Sequence, residues 1–285
     1  MKIILSRKGT DSSSGGMPSP ILPCQCLCSI PIPYEPPAVR YSHIRFGKRT
    51  LQEICGELNE KWSHEWAHLD PDLRCDALTN RPTNWRPAFG QVAAAASHLV
   101  KKRVDAGDLF IFFGWFRKTR MSHGRLAFDC SDRGRHIVFG WLEVGEVVDR
   151  LPLRPDQSFL SKHPHVDLFS PNRLNRIYVS SETGLKAGVF ATESEGMVLT
   201  REGESRRSHW LLPQAFESLR LKCDLTYHRN PERWRRECQG IALQSATRGQ
   251  EFVFDGDRHP EAKEYLVKKI EAVLSNTPRQ CSHRC

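Results

Sequence analysis

Two apolar stretches, LFIFFGWF at residues 109–116 and HIVFGWLEVGEVV at residues 136–148, decide the fold of this chain. Both are rich in the aromatic and β-branched residues that favour strands, and the first shows little alternation between apolar and polar side chains. A strand with that pattern is typically buried on both faces of a sheet. Because a polar turn separates the two stretches, we predict that they form a central hairpin.

Strand and helix signals continue outward from this hairpin in both directions. Residues 1–5 alternate and β-branch as a short strand does. Thr50 with Glu53 three positions later is a capping box, and the apolar spacing behind it predicts a helix up to Trp66. The remaining expected elements are an alanine-dense helix at 89–103, strands at 176–180, 188–190 and 249–255, and a helix at 260–274.

These elements together predict an α+β fold. We expect a single mixed domain over residues 1–275, with a central β-sheet or partial barrel flanked by helices, and a polar tail at 276–285. With 285 residues, of which 39% are hydrophobic, the chain can bury a core without disulfides or metals.

Charge and apolar patterning indicate which partners the chain can have. Its 42 basic and 33 acidic residues leave a formal charge of +9, which favours a polyanionic partner or a phosphate-bearing ligand. No apolar run approaches the roughly 20 residues that span a bilayer, so we expect no membrane partner and a cytoplasmic location. The cysteines in the predicted helices and strands are scattered singly, which is typical of buried thiols in a reducing compartment and predicts no disulfides.

The polar loop SRKGTDSSSGG at residues 6–16 is the strongest local signal of a binding site. Its serines and glycines could cradle a phosphate, Arg7 and Lys8 supply positive charge, and Asp11 could fix the loop or hold a metal. The loop matches neither the Walker nor the dinucleotide-binding glycine pattern. The alternative is an unstructured polar loop tip. The predicted phosphate-binding residues are Ser6, Arg7, Lys8, Gly9, Ser12, Ser13, Gly15 and Gly16.

Two histidine-containing segments are further candidates. His163 and His165 point the same way if the chain is extended, and Asp167 could orient them or join them at a divalent metal. The alternative is a loop with two surface imidazoles. His64, His68 and Asp70 form a looser set, and the loop around them is long enough to belong to an active site.

A third candidate is the segment from Arg248 to Asp255, in which Gln250 or Glu251 lies at the start of a predicted strand and Asp255 at its end. Its carboxylates could serve acid–base chemistry or form a salt-bridged strand. Trp115 is the candidate for stacking on a base. The predicted catalytic residues are Asp11, His68, Asp70, His163, His165 and Glu251, and Arg248 and Gln250 join the ligand-binding set. The spacing assigns no metal ligand and leaves the cofactor unknown.

Several long strings resemble a known family, nucleotide modification associated domain 3 of bacteria and their phages. They are residues 6–20, 68–72, 85–91, 107–117, 163–165, 207–213 and 248–253. The resemblance implies a link to the making or handling of modified DNA bases and no established mechanism. The central hairpin is more weakly similar to pseudouridine-synthase-associated modules that bind modified bases.

Three functions fit these observations. The first is an enzyme that acts on a nucleotide or DNA base, with the basic loop holding phosphate and a histidine or Glu251 acting as acid or base. The second is a non-catalytic reader of modified bases. The third is a scaffold subunit that works with the partner enzymes of a DNA-modification system. Nucleotide or nucleic acid is the expected ligand of the first two.

Overall fold

The computed structural model describes residues 1–35, 39–247 and 249–275, so the predicted tail and Arg248 lie outside the described part of the chain. The strands are β1 (Lys2–Arg7), β2 (Ser19–Ile21), β3 (Ile32–Pro33), β4 (Val39–Arg40), β5 (Arg45–Phe46), β6 (Arg49–Thr50), β7 (Trp66–His68), β8 (Ala88–Val92), β9 (Leu109–Ser122), β10 (Arg125–Phe128), β11 (Arg135–Val148), β12 (Asn175–Ser180), β13 (Ala187–Val189), β14 (His209–Leu212), β15 (Trp234–Glu237), β16 (Gly240–Gln244) and β17 (Glu251–Asp255). The α-helices are α1 (Leu51–Leu58), α2 (Ala93–Lys101), α3 (Glu217–Lys222) and α4 (Pro260–Ser275).

A nine-stranded mixed sheet forms the centre of the fold. Its main path runs β17-β1-β9-β11-β12-β8, with β2 and β10 on β9 and β13 on β11. Strands β9 and β11 pair antiparallel, which confirms the predicted central pairing. The large sheet confirms the predicted α+β fold with a central β-sheet, and the described strands form no closed barrel.

Both faces of the central strands are buried, as the apolar run at 109–116 predicts. Leu109, Ile111 and Phe113 pack into one core, whereas Phe110 and Phe112 pack into a second core on the opposite face. This division follows from the two-residue period of a strand, which sends successive side chains to opposite faces. Helix α4 covers the first face with Ala262, Leu266 and Ile270.

The helix predicted after Thr50 forms, but it is shorter than expected. Thr50 and Glu53 make the reciprocal capping box, and α1 then runs only to Leu58. Asn59 has extended backbone angles and ends the helix. Residues 66–68 instead form β7 between β3 and β4. The prediction was wrong beyond Leu58 because strand pairing outweighs local helical spacing there.

The predicted helix at 89–103 divides into a strand and a helix. Residues 88–92 form β8, which pairs antiparallel with β12, and α2 begins only at Ala93. Phe89 is fully buried in the second core. Gly90 lies against the ring of His165, where a Cβ atom would overlap the imidazole. The alanine-rich composition therefore marks α2 correctly but misses the strand before it.

The structure also bears on the predictions about disulfides and membrane-spanning helices. Cys24 is disulfide-bonded, so the prediction of no disulfides is wrong at that residue. The described cysteines that are free thiols include Cys28, Cys55, Cys75, Cys130, Cys223 and Cys238. Within the described ranges, none of the helices has the length and apolar character needed to cross a membrane.

Candidate functional site

Three distant segments meet at the carboxyl end of β1. Strand β17 is antiparallel to β1, with Ser6 opposite Glu251, so the first residue of β17 lies beside the carboxyl end of β1. Gln91, near the end of β8, reaches the same place and donates a hydrogen bond from its side-chain amide to Glu251 Oε1. The amino-terminal loop and the 248–251 segment therefore lie at one site.

A polar cleft of about 320 Å³ opens at this junction. Ten of the predicted site residues line it: Arg7, Lys8, Gly9, Asp11, Ser12, His68, Asp70, Trp115, His165 and Gln250. The other lining residues are Thr10, Ser14, Ile32, Tyr34, Gln91, Val92, His136, Leu168, Arg173 and Arg207. Six predicted residues do not line this cleft: Ser6, Ser13, Gly15, Gly16, His163 and Glu251.

One wall of the cleft is a buried cluster of His68, Asp70 and His165. The Nε2 atoms of the two histidines are 3.2 Å apart. Asp70 Oδ2 lies 3.8 Å from Nε2 of His68 and 3.6 Å from Nε2 of His165. The alternative of surface imidazoles is wrong, since His165 is 3% exposed and His163 is 7% exposed. These three side chains could hold a metal ion.

Neighbouring groups orient His165 and Asp70, whereas the buried Nδ1 of His68 has no hydrogen-bond partner among the described residues. Asn175 Nδ2 donates to the carbonyl oxygen of His165, which directs Asn175 Oδ1 to the Nδ1 of the same ring at 2.8 Å. The backbone N–H of Gly90 donates to Asp70 Oδ1 at 2.7 Å. His163 Nδ1 accepts the backbone N–H of His165, and its Nε2 faces Asp70 Oδ1 at 3.5 Å. Asp167, the carboxylate expected beside the histidines, is exposed instead.

The protonation states of the cluster follow from burial and from mutual contacts. The pKa of His68 is lowered to about 4, mainly by burial; the Asp70 charge opposes this shift and the neighbouring His165 adds to it. Burial raises the pKa of Asp70, but contacts with His163 and His165 outweigh it and hold that pKa well below its usual value. Near neutral pH the cluster therefore contains an ionised carboxylate beside a neutral His68 ring.

A second buried carboxylate, Glu251, lies close to the cleft with partners of its own. Lys8 Nζ is 3.0 Å from Glu251 Oε1, and the same oxygen accepts the Gln91 amide. The Lys8 ammonium also lies 4.5 Å from the centre of the Phe89 ring. Lys8, predicted to bind phosphate, thus has an internal counter-charge.

Asp11 organises the amino-terminal loop. Its Oδ1 accepts the backbone N–H groups of Ser13 and Ser14 and the Ser13 hydroxyl. The Gly16 N–H donates to the Asp11 carbonyl oxygen. Partial burial raises the pKa of Asp11, but these hydrogen bonds and the charge of Arg7 outweigh it and lower the pKa overall. Several N–H groups expected to face a phosphate are therefore used within the loop.

Arginine side chains supply the positive charge of the cleft. Arg7 donates to the carbonyl oxygens of Thr247 and Gly249, both at 3.1 Å. Arg207 lies 3.9 Å above the centre of the Trp115 ring. Burial lowers the pKa of both guanidinium groups, and Asp11 is the acid whose charge acts on both. Two partly desolvated guanidinium groups in one cleft are suited to binding an anion.

His136 is a cleft residue that sequence reasoning placed only in a strand. Its Nδ1 accepts the indole N–H of Trp210 at 3.0 Å, which leaves the ring proton on Nε2. The pKa of His136 is lowered to about 3, mainly by burial and in part by the charges of Arg7 and Arg207. The neutral ring is thus a hydrogen-bond donor among the cleft arginines.

The other residues missed from sequence are Gln91, Asn175, Tyr34 and Arg207. Gln91 and Arg207 lie in strings that carry the family resemblance, which was the available signal for them. The basic run containing Arg207 is typical of a solvated face, but the structure places this arginine in the cleft. Asn175 and Tyr34 carried no such signal, since each acts through a contact with a distant histidine.

The fold and the cleft define a mixed α/β protein in which cationic side chains and a buried histidine–aspartate cluster share one opening. The chain belongs to the nucleotide modification associated domain 3 family, whose model matches residues 2–255. This membership confirms the resemblance and associates the chain with nucleotide modification. No curated protein and no solved structure matches the chain.

Proposed function

We propose that this protein is an enzyme that binds a phosphate-bearing nucleotide, free or within a nucleic acid, and modifies it at the His68–Asp70–His165 cluster. The observation that carries the proposal is the single cleft shared by arginines and by that cluster. Arg7 and Arg207 are the anchors for phosphate, because guanidinium groups match phosphate oxygens in charge and geometry.

The arrangement of charges along the cleft indicates how a bound nucleotide is oriented. The charges of Arg7, Arg207 and Asp11 act on His136. At the other end, the Lys8 charge acts on His68, and the Tyr34 ring lies beside the His68 ring. A nucleotide with its phosphate at the arginines then extends its sugar or base toward the cluster. The Tyr34 ring, 4.6 Å from the His68 ring, offers an aromatic surface at that end.

One face of the Trp115 ring is already covered by Arg207. Base stacking on that face requires Arg207 to move, and this weakens the case for a reader that stacks a base there. The enzyme is preferred because a buried cluster of ionisable side chains at a cleft is more typical of catalysis than of recognition alone.

The test is calorimetric titration of the full chain with nucleotides and with modified and unmodified oligonucleotides, followed by mass spectrometry of the recovered ligand. Arg207→Ala is expected to weaken binding about 10-fold to 100-fold, since a charge-assisted hydrogen bond contributes about 1.5 to 3 kcal/mol. The matched control is Arg120→Ala, which removes an exposed arginine of β9 outside the cleft lining.

A covalent mass change in the ligand that is lost in His165→Ala supports the enzyme. Selective binding of a modified base without any mass change favours the reader. Equal, weak and salt-sensitive binding of all ligands, unaffected by Arg207→Ala, reflects only backbone electrostatics and overturns the proposal.

A further inference from the structure

We propose that His68 Nε2, Asp70 Oδ2 and His165 Nε2 bind one divalent transition-metal ion of the Zn²⁺ or Fe²⁺ type. The inference deepens the proposed function, on which the chemical role of the ion rests. Binding of the ion itself rests only on the geometry and charge of the cluster.

The three atoms form a triangle of the right size for a metal ion. Its sides are 3.2 Å between the two imidazole nitrogens, and 3.8 Å and 3.6 Å from these nitrogens to the carboxylate oxygen. Ligands about 2.1 Å from an ion lie about 3.0 to 3.4 Å apart in octahedral or tetrahedral geometry. A small inward movement of Asp70 therefore completes three of the coordination positions.

The surroundings of two of the three residues, His165 and Asp70, match those of metal ligands. The contact of Asn175 Oδ1 with Nδ1 of His165 places the Nδ1 proton there and directs Nε2 toward the triangle. Asp70 Oδ1 is occupied by the Gly90 N–H and faced by His163, which leaves Oδ2 for the triangle. Such outer contacts fix the tautomer and orientation of metal ligands.

The negative charge of the buried Asp70 carboxylate also favours binding of a cation. The ion-pair partners of Asp70 are the three histidines, and the described residues include no lysine or arginine paired with it. By contrast, the nearby buried Asp72 is held by Arg81, and Glu251 is held by Lys8. A buried carboxylate without a permanent cation is costly, and a bound divalent ion compensates its charge.

The ligand types and the exposure of the triangle define the class of ion. Two imidazoles and one carboxylate favour Zn²⁺, Fe²⁺ or Co²⁺ over Mg²⁺ and Ca²⁺, which prefer oxygen ligands. All three residues line the cleft, so the remaining coordination positions face it. An ion with open positions polarises a bound oxygen or activates water, which suits modification of a nucleotide.

The experiment titrates the full chain, freed of metal by a chelator and then dialysed, with Zn²⁺ and Co²⁺ in the absence of nucleotide. We expect one ion per chain and a Co²⁺ absorption spectrum without a thiolate charge-transfer band. His68→Ala and His165→Ala are expected to weaken binding by more than about 100-fold, and Asn175→Ala by about 10-fold to 100-fold through loss of ring orientation. His43→Gln, which removes an exposed histidine, is the control.

Failure to bind Zn²⁺, Co²⁺ or, under anaerobic conditions, Fe²⁺ overturns the inference. It is equally overturned by a thiolate band, or by unchanged affinity in both histidine variants. If those variants do not fold, the spectrum of the unaltered protein and the affinity of Asn175→Ala decide. Because no nucleotide is present, loss of the ion site and failure of nucleotide binding are distinguishable outcomes.

Discussion

Two buried carboxylates at the same cleft, Asp70 and Glu251, have opposite surroundings. Glu251 is 1% exposed and has an ammonium group at 3.0 Å together with the Gln91 amide. Asp70 is 9% exposed and has imidazole rings and one backbone N–H. The protein thus neutralises Glu251 with the Lys8 ammonium, whereas Asp70 is surrounded by imidazole rings that could also bind a metal ion. This difference separates a structural ion pair from a site prepared for a ligand.

The largest expected effect tests whether the Lys8–Glu251 pair is structural. Lys8→Met leaves Glu251 buried without its cation, and breaking a buried pair from one side costs about 3 to 5 kcal/mol of the free energy of unfolding. Denaturant-induced unfolding measures this loss. The double variant Lys8→Met with Glu251→Gln is expected to recover part of it, because the unpaired charge is gone. A loss below about 1 kcal/mol in Lys8→Met contradicts a structural role for the Lys8–Glu251 pair.

The next effect is the stabilisation that an ion provides at Asp70 but not at Glu251. At an ion concentration 100 times the Kd, the free energy of unfolding rises by about 2.7 kcal/mol. Asp70→Asn is expected to lose this gain, because the triangle loses its charged ligand. Glu251→Gln is expected to keep it when compared with its own metal-free state. Thermal unfolding with and without Zn²⁺ provides the measurement, and equal gains in the two variants contradict the distinction.

A third prediction extends the comparison to a buried histidine. His228 is fully buried, its Nδ1 faces the Thr226 carbonyl oxygen at 2.8 Å, and its Nε2 accepts the Ala246 N–H. Burial lowers its pKa to about 4, which the Thr226 contact opposes. The unfolded chain takes up a proton near pH 6.5, whereas the folded chain resists it. Stability therefore falls as pH decreases from about 6.5 to 4, by about 1.4 kcal/mol per pH unit for this ring.

Denaturant unfolding between pH 7 and pH 4.5 measures that slope. His228→Gln is expected to reduce it by about the contribution of one proton, while lowering stability near pH 7 through lost hydrogen bonds. His43→Gln is the control at an exposed position. An unchanged slope in His228→Gln indicates that His228 is not the group that resists protonation.

Local patterns predicted those elements whose own residues carry a strong signal. The apolar runs identified β9 and β11, because a strand buried on both faces must be apolar throughout. Thr50 and Glu53 identified the start of α1, since a capping box is formed by residues three apart. The same patterns failed at β7 and β8, where pairing with distant strands determines the conformation.

The sequence by itself also indicated the chemical types of the site, in His68, Asp70, His165 and the loop at 6–16. Only the tertiary structure decided which of these side chains face one another. Parallel pairing of β1 with β9 and antiparallel pairing with β17 bring Lys8 to Glu251. The segment carrying His165 packs against Gly90 of β8, which brings that ring to Asp70 and His68. Such contacts join residues far apart in the chain, and sheet order, which local spacing does not encode, determines them.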